Sequence, residues 1–172
     1  DPRMVLAPEA FKLSRSLAKR LRRKDYEVRV DSAFGAVMAA CAEPRPGQGG
    51  TWISPAMIAA YTRLHGAGIA HSVETWIEDR LVGGLYGVSL GRAFFGESMF
   101  SRVSDASKIA FAHLARQLER WHYGLIDCQM ETAHLASLGA RAIPRERFLH
   151  ALAPLVNCEP PRSWTFDHDL FA

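Results

Sequence analysis

Two textures divide the chain when apolar and polar positions are followed in order. Leu13, Leu17 and Leu21 recur at helical spacing behind Ser14, a residue suited to capping, and predict an amphipathic helix over 15–23. Met4–Leu6 reads as a short strand before it, and Tyr26–Val30 alternates as a strand after it. Phe34–Ala42 is small and apolar enough for a buried helix, and Met57–Leu64 has a helical pattern opened by Ser54-Pro55 and closed at Gly66. The texture then changes to strands over His71–Ile77, Leu81–Ser89 and Ala93–Met99, with turns at Glu78-Asp79-Arg80 and at Gly91, an antiparallel meander. Beyond it, Ser104 or Asp105 can cap a helix to about Trp121. Gly124 leads into a short strand, Leu125–Gln129. A helix over Glu131–Leu138 stops at Gly139, and Pro144 opens another through Leu152, before a Pro-rich tail ending in aromatics.

That order predicts an α/β (α+β) chain with a mixed, mostly antiparallel sheet flanked by helices. A meander followed by a helix, a further strand and another helix is the order of acetyltransferase-like (GNAT-like) folds. Order alone sets a fold and leaves the function to the site.

Charge changes the picture at one end. The first 24 residues hold eight basic side chains against Asp1 and Glu9, a net of +6 within an overall +3, so the remainder is −3. Arg15, Lys19, Arg20, Arg22, Arg23 and Lys24 surround the leucine stripe of the first helix. Such a lobe suits a polyanion, because neutralising phosphates releases counterions, although a solvated helix face would look the same. The opening Asp1-Pro2-Arg3 is not a translation start, which implies an upstream region. Residues 1–30 are therefore expected to be the remnant of an N-terminal domain and 31–172 the catalytic domain. Three cysteines, Cys41, Cys128 and Cys158, form no CxxC pair and suggest neither a disulfide framework nor a metal site. No apolar run approaches the roughly 20 residues of a membrane span, and a secretory signal pattern is lacking at the start, so a cytoplasmic protein with no membrane partner is expected.

Candidate chemistry concentrates in Leu125-Ile126-Asp127-Cys128-Gln129. Strand alternation puts Asp127 and Gln129 on one face and Cys128 on the other. A carboxylate and a carboxamide side by side can hold an amine for attack on a carbonyl, while the plain alternative has Asp127 capping a helix or pairing with an arginine. Glu97 suits recognition of a cation, or is an ordinary turn carboxylate. Gly96-Glu97-Ser98-Met99-Phe100 lacks the second glycine of a nucleophile elbow, which argues against a serine hydrolase. Glu131 and His134, at i, i+3, form a single carboxylate–histidine pair that is more often structural than metal-binding. Pro44–Gly50 lacks the Lys-Ser or Lys-Thr of a P-loop. Trp52 beside it suits stacking on a base.

Several motifs in register carry a resemblance: Gly50-Thr51-Trp52-Ile53, His71-Ser72-Val73-Glu74, Leu81–Val88, Phe95-Gly96-Glu97-Ser98-Met99-Phe100-Ser101-Arg102, Leu125–Gln129 and His134–Ala140. Over residues 1 to about 152 the chain resembles the leucyl/phenylalanyl-tRNA–protein transferases.

The resemblance implies an acetyltransferase-like domain that takes aminoacyl-tRNA (Leu or Phe, also Met) as donor and uses no CoA and no other cofactor. Its acceptors would be proteins with N-terminal Arg or Lys, marked for N-end-rule degradation; apart from the resemblance, a monomer is expected. It implies Asp127, Gln129 and Glu97 as the catalytic set, with Gln129 and Glu97 positioning the acceptor and Asp127 orienting or deprotonating its α-amine. The donor side-chain pocket would be Leu85, Phe94, Met99, Phe111, Leu114 and Ile126; Trp52 would meet the tRNA 3′ end, and the basic side chains of 15–24 its backbone. Arg102–Lys108, where a CoA enzyme needs a Gly-rich turn, has no glycine, which counts against acetyl transfer. An acyl-CoA N-acetyltransferase and a non-catalytic tRNA-binding module are the competing expectations.

Overall fold

The computed structural model describes residues 2–44, 53–129 and 133–172. Seven strands form one sheet: β1 Arg3–Leu6, β2 Glu27–Val30, β3 Ala70–Ile77, β4 Arg80–Leu90, β5 Ala93–Ser101, β6 Leu125–Gln129 and β7 Arg141–Ile143, in the spatial order β2-β3-β4-β5-β6-β1-β7. Every neighbouring pair is antiparallel except β5 and β6. The helices are α1 Arg15–Arg22, α2 Phe34–Ala42, α3 Pro55–Gly66, α4 Ala106–Arg120, α5 Ala133–Ser137 and α6 Arg145–Val156. The mixed, mostly antiparallel sheet flanked by helices is the one expected from sequence. Both strands within residues 1–30 belong to this sheet, so position 30 does not coincide with a break in the packing.

Local chemistry accounts for most of the elements. Ser14 caps α1 by accepting from the Leu17 N–H at 3.1 Å, and Ser54 caps α3 by accepting from Met57 at 3.2 Å. The β3–β4 hairpin turns through Glu78 and Asp79, both at positive φ, the geometry of a two-residue turn matched to strand twist. Neither Ser104 nor Asp105 caps α4 with its side chain. Asp105 stands at φ 66°, and Ser101 Oγ, at the end of β5, accepts from the Ser107 N–H at 2.9 Å instead. The first turn of α4 is thereby fastened to the sheet. A Cβ at Gly83 would come within 2.4 Å of the Ala106 Cβ, so only glycine lets α4 approach β4 this closely.

Two elements were not evident in sequence. Pro8–Ala10 forms a 3-10 turn, and Arg141–Ile143 pairs with β1 as the edge strand β7. Of the helix expected over 131–138, Ala133–Ser137 is helical among the described residues, and Glu131 lies outside them.

The sheet separates distinct apolar layers. On one face α4 and α1 pack through Leu17, Leu21, Phe94, Phe111, Leu114, Leu118 and Ile126. Phe34, Val37, Met38, Tyr86 and Phe100 form a second cluster with α2, and Val5, Leu125, Ile143 and Phe148 a third beneath α6. Trp164, in the tail, stacks on His71 at 4.0 Å and closes the first layer. Glu74, fully buried on β3, accepts from the Ala33 N–H, Ser72 Oγ and Trp76 Nε1, so the carboxylate of the His71–Glu74 motif is spent on core hydrogen bonds.

Candidate active site

β5 and β6 run parallel for three residue pairs, Ala93 with Leu125 through Phe95 with Asp127, and then part. The free stretch of β5 beyond Phe95 lines a cavity of about 970 Å³. All six residues expected to form an apolar pocket, Leu85, Phe94, Met99, Phe111, Leu114 and Ile126, line it together, with Leu135 and Cys128. Its polar wall holds Glu97, Ser98, Gln129 and His134, and Glu43 and Arg102 also line it, paired at 2.9 Å.

A one-residue bulge on each strand builds the polar end. Tyr86 pairs with Ser98 and Gly87 with Gly96, leaving Glu97 as the extra residue on β5. Met4 pairs with Gln129 and Val5 with Asp127, leaving Cys128 as the extra residue on β6. Bulges re-aim side chains and end regular pairing. A Cβ at Gly87, beside the first bulge, would meet Phe95 O at 2.4 Å and the Phe94 ring at 2.6 Å. Gln129 stands at φ 64°, and its Nε2 donates to Gly96 O and to Glu97 Oε2, both at 3.0 Å, bridging the strands where they part. Tyr61, on α3, interacts with the same carboxylate; burial first, then Glu97, pushes its phenol up to about 12.

The bulge at Cys128 corrects the face assignment made from simple alternation. Asp127 and Gln129 do not share a face. Asp127 is 1% exposed, does not line the cavity, and forms an ion pair with Arg3, whose guanidinium lies 5.0 Å over the Phe148 ring of α6. Its other oxygen accepts from the Gln129 N–H at 2.9 Å, so the carboxylate fixes the turn that presents Gln129. Cys128 faces the cavity. Burial first, and the neighbouring Asp127 charge second, push its thiol up to about 12, which leaves it protonated and a poor nucleophile at neutral pH. His134 is shifted down by burial and by Lys108, which favours the neutral ring.

The basic segment divides in two. Arg20 and Arg23 pair with Asp25, and Lys24 Nζ donates to Phe171 O at 2.5 Å. Arg15, Lys19 and Arg22 are exposed and have no ion pair among the described residues. Trp52 lies outside the described residues. Sequence reasoning missed Arg3, Tyr61 and Tyr86. No local signal singled out Tyr61 or Tyr86, and nothing local could pair Arg3 with a residue 124 positions away. Among the described residues no cluster of three or more His, Cys, Asp or Glu could hold a metal, and no helix is long and apolar enough to cross a membrane.

A sheet split between two parallel strands, the first helix after the meander seated against it and a cavity in the split, defines an acetyltransferase-like fold. The structure of L-PGS from Bacillus licheniformis has this fold in common, with a TM-score of 0.53 at 12% identity over 77% of this chain and 46% of that one. A functionally unknown conserved protein from Staphylococcus epidermidis matches with a TM-score of 0.50 at 11% identity, over 83% of this chain and 57% of that one. Sequence comparison is more specific: residues 5–153 match the family model described as leucyl/phenylalanyl-tRNA protein transferase, and the chain belongs to that family. The leucyl/phenylalanyl-tRNA–protein transferase of Nitrosomonas europaea is 66% identical over 169 residues, covering 97% of this chain and 71% of that protein. The transferase of the same name from Thiobacillus denitrificans is 66% identical over 168 residues, covering 97% of this chain and 74% of the relative.

Proposed function

We propose that the chain moves leucine, phenylalanine or methionine from aminoacyl-tRNA onto the N-terminal Arg or Lys of an acceptor protein, marking it for N-end-rule degradation, and that it does so as a cytoplasmic monomer. The observation that carries this reading is the junction of an apolar cavity with the Gln129–Glu97 pair at the open end of the β5–β6 split. The donor's side chain would enter between Leu85, Phe94, Met99, Phe111, Leu114 and Ile126. Burial there is worth about 1.5–3 kcal/mol for a Leu or Phe side chain, which a short or polar side chain forgoes.

The ester carbonyl would then lie towards Gln129. Glu97 holds the cationic side chain of the acceptor residue, and Gln129 aligns the acceptor's neutral α-amine. The amine lone pair attacks the ester carbon, a C–N bond forms, the C–O3′ bond breaks, and the proton lost by nitrogen ends on the departing ribose oxygen. No electron changes hands and no cofactor is called for. Alignment within the cavity supplies most of the acceleration. Asp127 acts through Gln129, by accepting its N–H and so holding the turn at 127–129. Trp52 would stack on the 3′ end of the donor, and Arg15, Lys19 and Arg22 with their basic neighbours would meet tRNA phosphates.

Transfer of radiolabelled leucine from leucyl-tRNA to a peptide beginning with Arg tests the reading, with Gln129→Ala and Glu97→Ala beside the parent. Loss of transfer in both variants, with folding intact, is expected. No transfer by the parent, or undiminished transfer by both variants, would overturn it, and CoA-dependent acetylation would favour the acetyltransferase instead.

A further inference from the structure

Directly before the bulge that carries Glu97, β4 places a buried hydroxyl that no described residue hydrogen-bonds. Tyr86 is fully buried, with ring contacts to Tyr61 at 5.5 Å and Phe34 at 6.0 Å. Among the described residues its hydroxyl is a buried polar atom without a hydrogen-bond partner, while the neighbouring Tyr61 already interacts with Glu97. A buried donor left open is a standing cost to a folded protein and calls for a physical reason. Tyr86 lines the cavity, pairs across the strands with Ser98 at the bulge, and feels the Glu97 charge. Burial, with the charges of Cys41, Glu97 and Tyr61 adding to it, raises its pKa, so the phenol keeps its proton and is able to donate a hydrogen bond.

Glu97 is the anion within its electrostatic reach. In the free protein that carboxylate is half-buried and receives Gln129 Nε2 on Oε2. A carboxylate has about four lone-pair sites, so a further donor can be accepted. Drawing a lone carboxylate deeper costs hydration, and that cost falls once a cation is paired with it. We propose that Tyr86 is a positioning residue for the acceptor: when the Arg or Lys side chain engages Glu97, the carboxylate turns inward to take a hydrogen bond from the Tyr86 hydroxyl and is fixed there. The inference rests on the reading of Glu97 as the anchor of the acceptor's cation. It makes the open donor a device for binding acceptor more tightly than the resting site would, because the bond forms only in the occupied state.

Tyr86→Phe removes the oxygen and nothing else. In the free protein the variant should unfold at the same temperature as the parent or higher. The acceptor KM, measured with a peptide beginning with Arg, should rise roughly ten- to a hundredfold, the loss of one hydrogen bond to a charged group. The KM for leucyl-tRNA should stay put, and the rise in unfolding temperature on adding the peptide should shrink. A purely structural hydroxyl would move none of these ligand-dependent readings. An unchanged acceptor KM in Tyr86→Phe, with a raised one in Glu97→Gln, would overturn the role of Tyr86 alone. If Glu97→Gln also leaves the acceptor KM untouched, the anchor reading fails and this inference with it. A Tyr86→Phe protein markedly less stable than the parent would mean that the hydroxyl has a partner in the free state, which likewise ends the proposal.

Discussion

Gln129 Nε2 and Glu97 Oε2 meet at 3.0 Å across the gap where β5 and β6 part company. The hydrogen bond depends on two single-residue bulges, one displacing Glu97 from the β4–β5 ladder and one at Cys128 that breaks alternation just before Gln129. With neither bulge, the carboxamide would follow Asp127 towards α6 and the cavity would have no polar end.

Asp127→Asn and Asp127→Ala should separate two roles for this residue. Asparagine keeps an oxygen to accept the Gln129 N–H but gives up the ion pair with Arg3; alanine gives up both. Breaking a buried pair should lower stability by about 3–5 kcal/mol at most, moderated by the partial exposure of Arg3. If positioning of Gln129 is the catalytic contribution, the asparagine variant should retain transfer at least roughly tenfold above the alanine one. Chemical denaturation and single-turnover transfer read the two effects; equal activities would point to a proton-transfer role for Asp127.

Leu114 lies on the α4 wall of the cavity, 1% exposed. Leu114→Phe adds volume where the donor side chain would sit, and overpacking costs about 1–3 kcal/mol. Phenylalanine transfer should fall more than leucine transfer, shifting the ratio of kcat/KM values roughly tenfold towards leucine. A ratio that does not move would place the donor elsewhere.

Arg15, Lys19 and Arg22 carry exposed charge, whereas Arg20 and Arg23 are tied to Asp25. Replacing each of the first three by alanine should weaken tRNA binding and reduce the slope of log affinity against log salt by about 1 for every phosphate left without its cation. Filter binding over a salt series measures this, and slopes identical to the parent would remove α1 from the interface.

Cys128 makes the opposite kind of prediction. A thiol held up to about 12 is protonated throughout the physiological range, so Cys128→Ser should keep most of the transfer activity. A raised acid also stabilises the fold only while it is protonated: that contribution is complete below the unfolded pKa, about 8.5, and is lost as pH climbs towards 12. The parent should therefore lose more stability than Cys128→Ser between those limits. Abolished transfer in the serine variant would reinstate a thiol nucleophile.

Element types were legible where periodicity was sustained, as in the leucine stripe of α1 and the meander of β3 to β5. What escaped was set by distant partners. Arg141-Ala142-Ile143 is too short to show alternation and is a strand only because β1 offers it an edge. The hydroxyl that serves the start of α4 is not on the neighbouring Ser104 but on Ser101, on the preceding strand. At the site, residue types pointed to Asp127, Gln129 and Glu97, yet their relative aim could not be read, since a bulge has no signature in a two-residue period. Whether a buried tyrosine hydroxyl is satisfied is likewise a property of the assembled layers.

β1, near the start of the chain, lies between β6 and β7, which come more than a hundred residues later. During synthesis its backbone groups therefore wait unpaired until β6 and β7 have emerged, and Arg3 has no counter-ion until Asp127 arrives. Pairing across that sequence separation forms late and slowly. The turn presenting Gln129 is thus locked only once β6 has joined β1, so a nascent chain that has not yet made β6 would lack the geometry to draw on charged tRNA.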